Sequence, residues 1–173
     1  LERLSHPLRV LKGGARDLPG RHRTLRDTIA WSYALLSAPE QTLFRRLSVC
    51  AGGCTLEAAE SVCLGPDESS DPFASEKLLD DLISLVEKSL LLVEEQADGQ
   101  ARFAMLGTIR EFGKGQLEDA GEVEAARRRH AAYYLRFALA AAPQFFRAEQ
   151  SEWLERMDRE LDNLRAAFGW VLQ

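Results

Sequence analysis

Few side chains in this sequence have the type and spacing for chemistry. Cys50, Cys54 and Cys63 lie close together, but a structural zinc site takes four ligands, and His22 and His130 stand far away in the sequence. The three thiols are therefore expected to be small buried apolar groups in a reducing cytoplasm, with no metal bound. Asp80 and Asp81 are neighbours on a helix, so their carboxylates point different ways and make no acid/base pair. His130 shares an apolar stripe with Tyr134, which marks a packed core histidine rather than a general base. The sequence has no GxxxxGK[ST] phosphate loop and no G-x-S-x-G elbow. No nucleophile meets a base, and the chain is not expected to be an enzyme.

Charge is the other chemical resource. The net charge is −5, yet from Leu1 to Arg26 seven basic residues face only Glu2 and Asp17, so this head carries +5 and the rest −10. A basic head on an acidic body suits either a solvated linker or a surface facing phosphate or an acidic neighbour. The run Arg127 to Arg129 reads as a solvated helix face. With 46% hydrophobic and 28% charged residues the composition is that of a soluble globular chain. No apolar run approaches the roughly 20 residues that cross a bilayer, and no signal peptide opens the chain, so a cytoplasmic location without membrane contact is expected.

The elements that must position these groups are mostly helices. "TLRDTIAWSYALLS" places Leu25, Ile29, Tyr33 and Leu36 on one stripe, widened by Trp31 and Leu35, which predicts a helix buried on two sides. In "SAPE", Ser37 and Glu40 have capping-box spacing and Pro39 sits in the first turn of the next helix, 39–49. Thr55 can cap a short helix, "LEAAESVCL". After the loop "GPDESSDPFAS", a helix follows over 75–89 with Leu78, Leu82, Leu85 and Val86 in register. "LLLVEE" and "ARFAM" have strand propensity and are joined through Asp98-Gly99, a hairpin signal. A closing helix carries Ile109, Phe112 and Leu117, and Gly113 and Gly115 weaken it by about 1 kcal/mol each.

Three helices, a β-hairpin and a closing helix make a winged helix-turn-helix. Beyond Gly121, "VEAARRRHAAYYLRFALAAA" and "SEWLERMDRELDNLRAAFGWVLQ" each predict one amphipathic helix, the second with Trp153, Met157, Leu161, Leu164, Phe168 and Val171 on its stripe. Such a pair looks like the first unit of a tetratricopeptide-like array, whose units bury their faces only by stacking. The fold class is thus mainly α, a winged helix followed by an α-helical hairpin, and the chain reads as part of something longer at both ends.

A winged helix suggests DNA binding, but the recognition helix would be 75–89. Its Glu76, Asp80, Asp81 and Glu87 outnumber Lys77 and Lys88, and the wing sets Glu94, Glu95 and Asp98 against Arg102. Duplex affinity rests largely on Lys/Arg neutralising phosphates, so DNA binding by this part is not expected.

The runs "RDLPGRHRTLRDTIAWSYALLSAPEQTLFRRLSVCAGGCTLEAAESVC", "LISLVEKSLL", "FAMLGTIREF" and "RELDNLRAAFGWVL" occur in this order in one group of bacterial proteins. By them the chain resembles the STAND-class signal-transduction ATPases with an NB-ARC-type nucleotide domain, many of them transcriptional regulators. The resemblance implies an end of a helical domain and linker at 1–22, a winged-helix domain at 23–121 and the first helices of a repeat region at 122–173. It implies a non-catalytic regulatory module packing on an upstream nucleotide-binding domain of the same chain. No cofactor is expected in this part, with ADP or ATP bound elsewhere in the parent protein. A protein or small-molecule inducer would act through the repeats, and the activated form would be a homo-oligomer.

In that family the strand-to-helix junction carries a Met-His-Asp motif facing the phosphates of ADP. The matching positions here are Met105, Leu106 and Gly107, so the histidine and the acid are both replaced, and a leucine offers phosphate no hydrogen bond. Two substitutes remain as phosphate-facing or nucleotide-domain-facing positions. One is the backbone at Leu106 and Gly107, where a helix begins; the other is the basic head, chiefly Arg21, Arg23 and Arg26. The alternatives to this reading are a winged-helix DNA-binding domain using another basic surface, and a helical-repeat scaffold for protein ligands.

Overall fold

The structure is a computed structural model describing residues 20–65, 68–96, 99–146 and 150–172. The basic head before Gly20, Asp98 of the hairpin turn, and the side chains of Arg21 and Arg23 lie outside what is described. In chain order the elements are α1 (Gly20–Ala34), α2 (Ala38–Leu47), β1 (Cys54–Thr55), α3 (Leu56–Cys63), α4 (Ala74–Glu87), β2 (Leu92–Glu95), β3 (Ala101–Ala104), α5 (Gly107–Asp119), α6 (Val123–Ala141), α7 (Gln150–Arg159) and α8 (Leu161–Val171). The result is a winged helix followed by a helical hairpin.

Local chemistry starts the helices where the residue types demand. Ser37 Oγ accepts the Glu40 N–H while the Glu40 carboxylate accepts the Ser37 N–H at 2.7 Å, closing the capping box of α2. Thr55 Oγ1 accepts from the Ala58 N–H and starts α3. α4 is capped at Lys88 and followed by Ser89, whose φ of +58° is left-handed, and the buried Leu90 and Leu91 then lead into the sheet.

The sheet is antiparallel in the order β1-β3-β2, with Cys54 opposite Phe103 and Glu94 opposite Arg102. β1 is a strand the periodicity does not announce; two residues carry no period. It forms because the chain before it turns through Gly52 and Gly53 at φ +75° and +86°. A Cβ on Gly53 would come within 2.7 Å of the Phe103 carbonyl oxygen, so only glycine fits.

One core joins α1 to α5 and the sheet, with Phe44, Leu82, Leu85 and Val62 fully buried. Tyr33, Phe44 and Phe112 pack as an aromatic trio with centroids 5.3 to 6.3 Å apart. A second, smaller cluster holds Tyr134, Leu164 and Ala167 between α6 and α8. α6 also packs against α3, so the hairpin lies directly on the winged helix.

Three expectations need correction. α1 is not buried on two sides: Ile29 and Leu36 are buried, but Leu25, Trp31 and Leu35 are exposed, because α1 rests on the body by one face along α5. The last predicted helix is two, broken at Glu160. Its inward face is Asn163, Leu164 and Ala167, leaving Leu161, Phe168 and Val171 exposed. Gly113 is not a weak point, since its Cβ position lies 3.0 Å from Ser48 Cβ and 3.4 Å from Phe44 Cε1. It is where α5 lies close against α2. The thiols follow expectation: Cys50, Cys54 and Cys63 are free and buried.

Candidate nucleic-acid interface

α4 and the wing are the parts of a winged helix that meet a duplex. The outward face of α4 presents Glu76, Lys77, Asp80, Ile83 and Glu87, followed by Lys88. Both lysines are already engaged with carboxylates of the module. Lys77 Nζ lies 2.6 Å from Asp71 Oδ2, and Lys88 Nζ donates to Glu40 Oε1. Ser84 donates to the same Glu40 oxygen, so the glutamate that caps α2 also anchors the far end of α4. Burial alone would raise the Glu40 carboxyl, but the bonds from Lys88, Ser84 and Ser37 outweigh it and hold its pKa at about 2. Asp81 is shifted the other way, upward, by burial and by the nearby Glu40 and Asp80 charges. The face that would enter a groove is thus negative, and its cations are occupied.

The wing adds no positive charge. Glu94 and Glu95 are exposed on β2, while Arg102, its one cation among the described residues, turns inward. The Arg102 guanidinium lies on Glu160 at 2.5 Å and donates to the carbonyls of Gly52, Gly53 and Arg159. Burial disfavours its charge, yet the Glu160 contact raises its pKa overall. Glu160 also accepts from Tyr134 Oη and from Asn163 Nδ2. Asn163 in turn donates to the Gly53 carbonyl and accepts the Ala51 N–H at 2.6 Å, and His130 Nε2 lies 3.2 Å from its Oδ1. Burial lowers the His130 pKa and raises that of Tyr134.

This buried network escaped sequence reasoning except at His130, read as a packed core residue. The polar Glu160 and Asn163 inside an otherwise apolar helical stripe were the available signal. The network welds the wing to the hairpin.

Leu106 is the half-exposed cap of α5 and makes no side-chain capping bond, and a Cβ at Gly107 would meet nothing within 4 Å. Gly107 therefore shows no close approach that requires glycine. Arg26, half-buried on α1, lines a cavity together with Arg110 and Lys114 of α5. Leu106 and Gly107 are not among the residues that line that cavity. Among the described residues no group of His, Cys, Asp and Glu could hold a metal ion, and no helix is long and apolar enough to cross a membrane.

Residues 36–118 match the family model described as a winged helix-turn-helix domain. The chain is similar to a Mycobacterium tuberculosis protein provisionally named HTH-type transcriptional regulator Rv0890c. The two are 42% identical over 163 residues, 94% of this chain and 18% of that protein. A Mycobacterium bovis protein provisionally named HTH-type transcriptional regulator Mb0914c gives the same figures. Uncharacterized protein Rv0894 of Mycobacterium tuberculosis is 32% identical over 127 residues, 73% of this chain and 31% of that protein. The chain thus spans under a fifth of the regulators it matches. No solved structure matches it. These findings favour a DNA-binding winged helix over a nucleotide-switch module, against the expectation drawn from charge.

Proposed function

We propose that this chain is the non-catalytic winged-helix part of a transcriptional regulator and that it contacts duplex DNA. The observation that carries this is the winged helix-turn-helix match over residues 36–118, joined to relatives named as regulators. The electrostatics constrain how. With Lys77 and Lys88 paired and Arg102 buried, insertion of α4 into a groove would release few counterions, so phosphate contacts come from other cations of the chain. The test is fluorescence anisotropy of a labelled random duplex with the chain at micromolar concentration. Saturable binding is expected, with log K falling by about 0.9 per phosphate contacted for each decade of salt. No binding at about 50 mM salt overturns the proposal.

One observation favours a second reading. The outer face of α4 and the adjoining wing combine acidic residues with exposed Ile83, Leu92 and Val93, which suits a protein surface better than a duplex. In that reading the module docks on a nucleotide-binding domain of a STAND-type regulator, and an inducer received by the helices after Val123 releases it. ADP retention by the full-length protein that Arg23→Ala and Arg26→Ala leave unchanged removes the part given to the basic head.

A further inference from the structure

Four helices converge on a cavity of about 330 Å³ to which neither reading above assigns a ligand. α1 contributes Arg26, α5 Arg110 and Lys114, α6 Arg127, and α8 Arg165 and Trp170. Five cations thus surround one recess in a chain whose net charge is −5. Only two carboxylates, Glu111 and Glu118, share its lining. Its floor is core, since Leu117 and His130 are both buried.

The cations are not consumed by one another's partners. Arg26 and Arg127 make no ion pair among the described residues. Lys114 sits 3.9 Å from Glu111, and Arg165 3.7 Å from the exposed Asp162. Arg110 Nε donates to the Ser48 carbonyl at 3.1 Å, which fixes the stem of its side chain and leaves the rest of the guanidinium fork to a ligand. Like charges gathered in a half-buried recess repel unless an anion joins them. Lys114 registers this: burial first, and Arg110 and Arg127 after it, push its ammonium below the usual lysine value.

We propose that this cavity binds a small organic phosphate, the phosphate held by the arginines and Lys114 and the apolar body against Trp170. The volume lies at the lower end of the range for small-molecule pockets. Guanidinium forks match phosphate oxygens in pairs, and charge-assisted bonds in such a recess are the strong ones. A duplex backbone fits less well, because it is convex and meets only a rim, whereas these groups ring a concavity floored by core residues. The site lies between the winged helix and the hairpin, so an occupant would bridge them.

The test is calorimetric titration of the chain with phenyl phosphate, with inorganic phosphate and a random duplex as parallel arms. Phenyl phosphate is expected to bind one to one and more tightly than inorganic phosphate. Lys114→Met and Arg127→Ala should each weaken it about tenfold, the loss of one charge-assisted bond. Arg128→Ala serves as the control, since Arg128 does not line the cavity and pairs with Glu124 at 3.1 Å; it should change affinity less than about twofold. Arg127 is exposed, so its variant stays folded even if the Lys114 variant does not. Absence of saturation overturns the proposal, as does an Arg128→Ala loss equal to that of Arg127→Ala, which marks unspecific attraction. Duplex binding that Arg127→Ala weakens while phenyl phosphate fails to saturate assigns the cations to DNA instead.

Discussion

Glu40 shows how one side chain can serve three elements. It closes the capping box of α2, accepts from Ser84 in α4, and receives Lys88 just beyond that helix. Its folded pKa of about 2 lies below the ordinary value of 4.5. A depressed carboxyl contributes stability that is fully present above its unfolded pKa and lost as pH falls through the folded one. The window is therefore from about 4.5 down to about 2. Glu40→Gln is expected to lower stability by about 1–3 kcal/mol near neutrality, combining a weakened cap with a stranded Lys88. The gap between variant and wild type should close on acidification, which urea midpoints at about pH 7 and about pH 3 would record. A gap that is constant with pH means the carboxylate charge is not what Glu40 contributes.

Two glycines of α5 make a contrast at the same scale. By helix propensity alone, alanine at either should gain up to about 1 kcal/mol. At Gly107 the space for a Cβ is open, so Gly107→Ala should be neutral or mildly stabilising. At Gly113 the methyl would press on Ser48 and Phe44 in the centre of the core, and overpacking of this kind costs about 1–3 kcal/mol. Gly113→Ala is expected to destabilise by roughly 1–2 kcal/mol net, read from thermal or chemical unfolding. Opposite signs at the two positions would show that the glycine in the core is there for proximity.

Among the elements, what the sequence announced is what local chemistry decides. The capping box at Ser37 and Glu40, the Thr55 cap and the stripe of α4 are each set within one or two turns, and each appears where expected. What it did not announce has causes far along the chain. The break between α7 and α8 falls at Glu160, whose partner Arg102 is 58 residues away. Periodicity runs through that point without a sign. β1 pairs with β3, whose Arg102 and Phe103 lie far along the chain from Thr55 and Cys54. Trp31 and Leu35 widen an apolar stripe that has no described surface to cover them. The candidate site was legible as composition, an acidic α4, but not as geometry: nothing local says that its lysines are paired or that Arg102 faces inward.

The Arg102–Glu160 pair carries the prediction at this scale. Removing one partner of a buried pair strands the other charge, at about 3–5 kcal/mol. Arg102→Met should therefore be severely destabilising, while Arg102→Met with Glu160→Gln should recover part of the loss because neither charge is then left unpaired. Equal losses from the single and the double variant would mean that Arg102 matters only for its hydrogen bonds to the carbonyls of Gly52, Gly53 and Arg159.

For the whole molecule the consequence is that the winged helix and the hairpin are not separate bodies. α3, with Ala58, Ala59 and Val62 fully buried, packs against α6, and Arg129 of α6 donates to the Val62 carbonyl at 2.7 Å. Arg45 and Arg46 of α2 both grip Glu122 at the turn into α6, at 2.6 and 2.8 Å. Asn163 satisfies the backbone of the Ala51–Gly53 turn from the far side. A chain ending at Gly121 would lose all of these. Exposing even one valine-sized side chain costs about 1.5–3 kcal/mol, and the freed loop would also lose the groups that hold it. The shortened chain should therefore unfold several kcal/mol more easily than the full one and expose apolar surface that takes up a hydrophobic dye. The full chain should unfold in one transition seen alike by far-ultraviolet dichroism and tryptophan fluorescence. Two separated transitions, with the first confined to Trp153 and Trp170, would mean that the hairpin opens by itself. In that case a signal received there could not reach the wing through the Arg102 network.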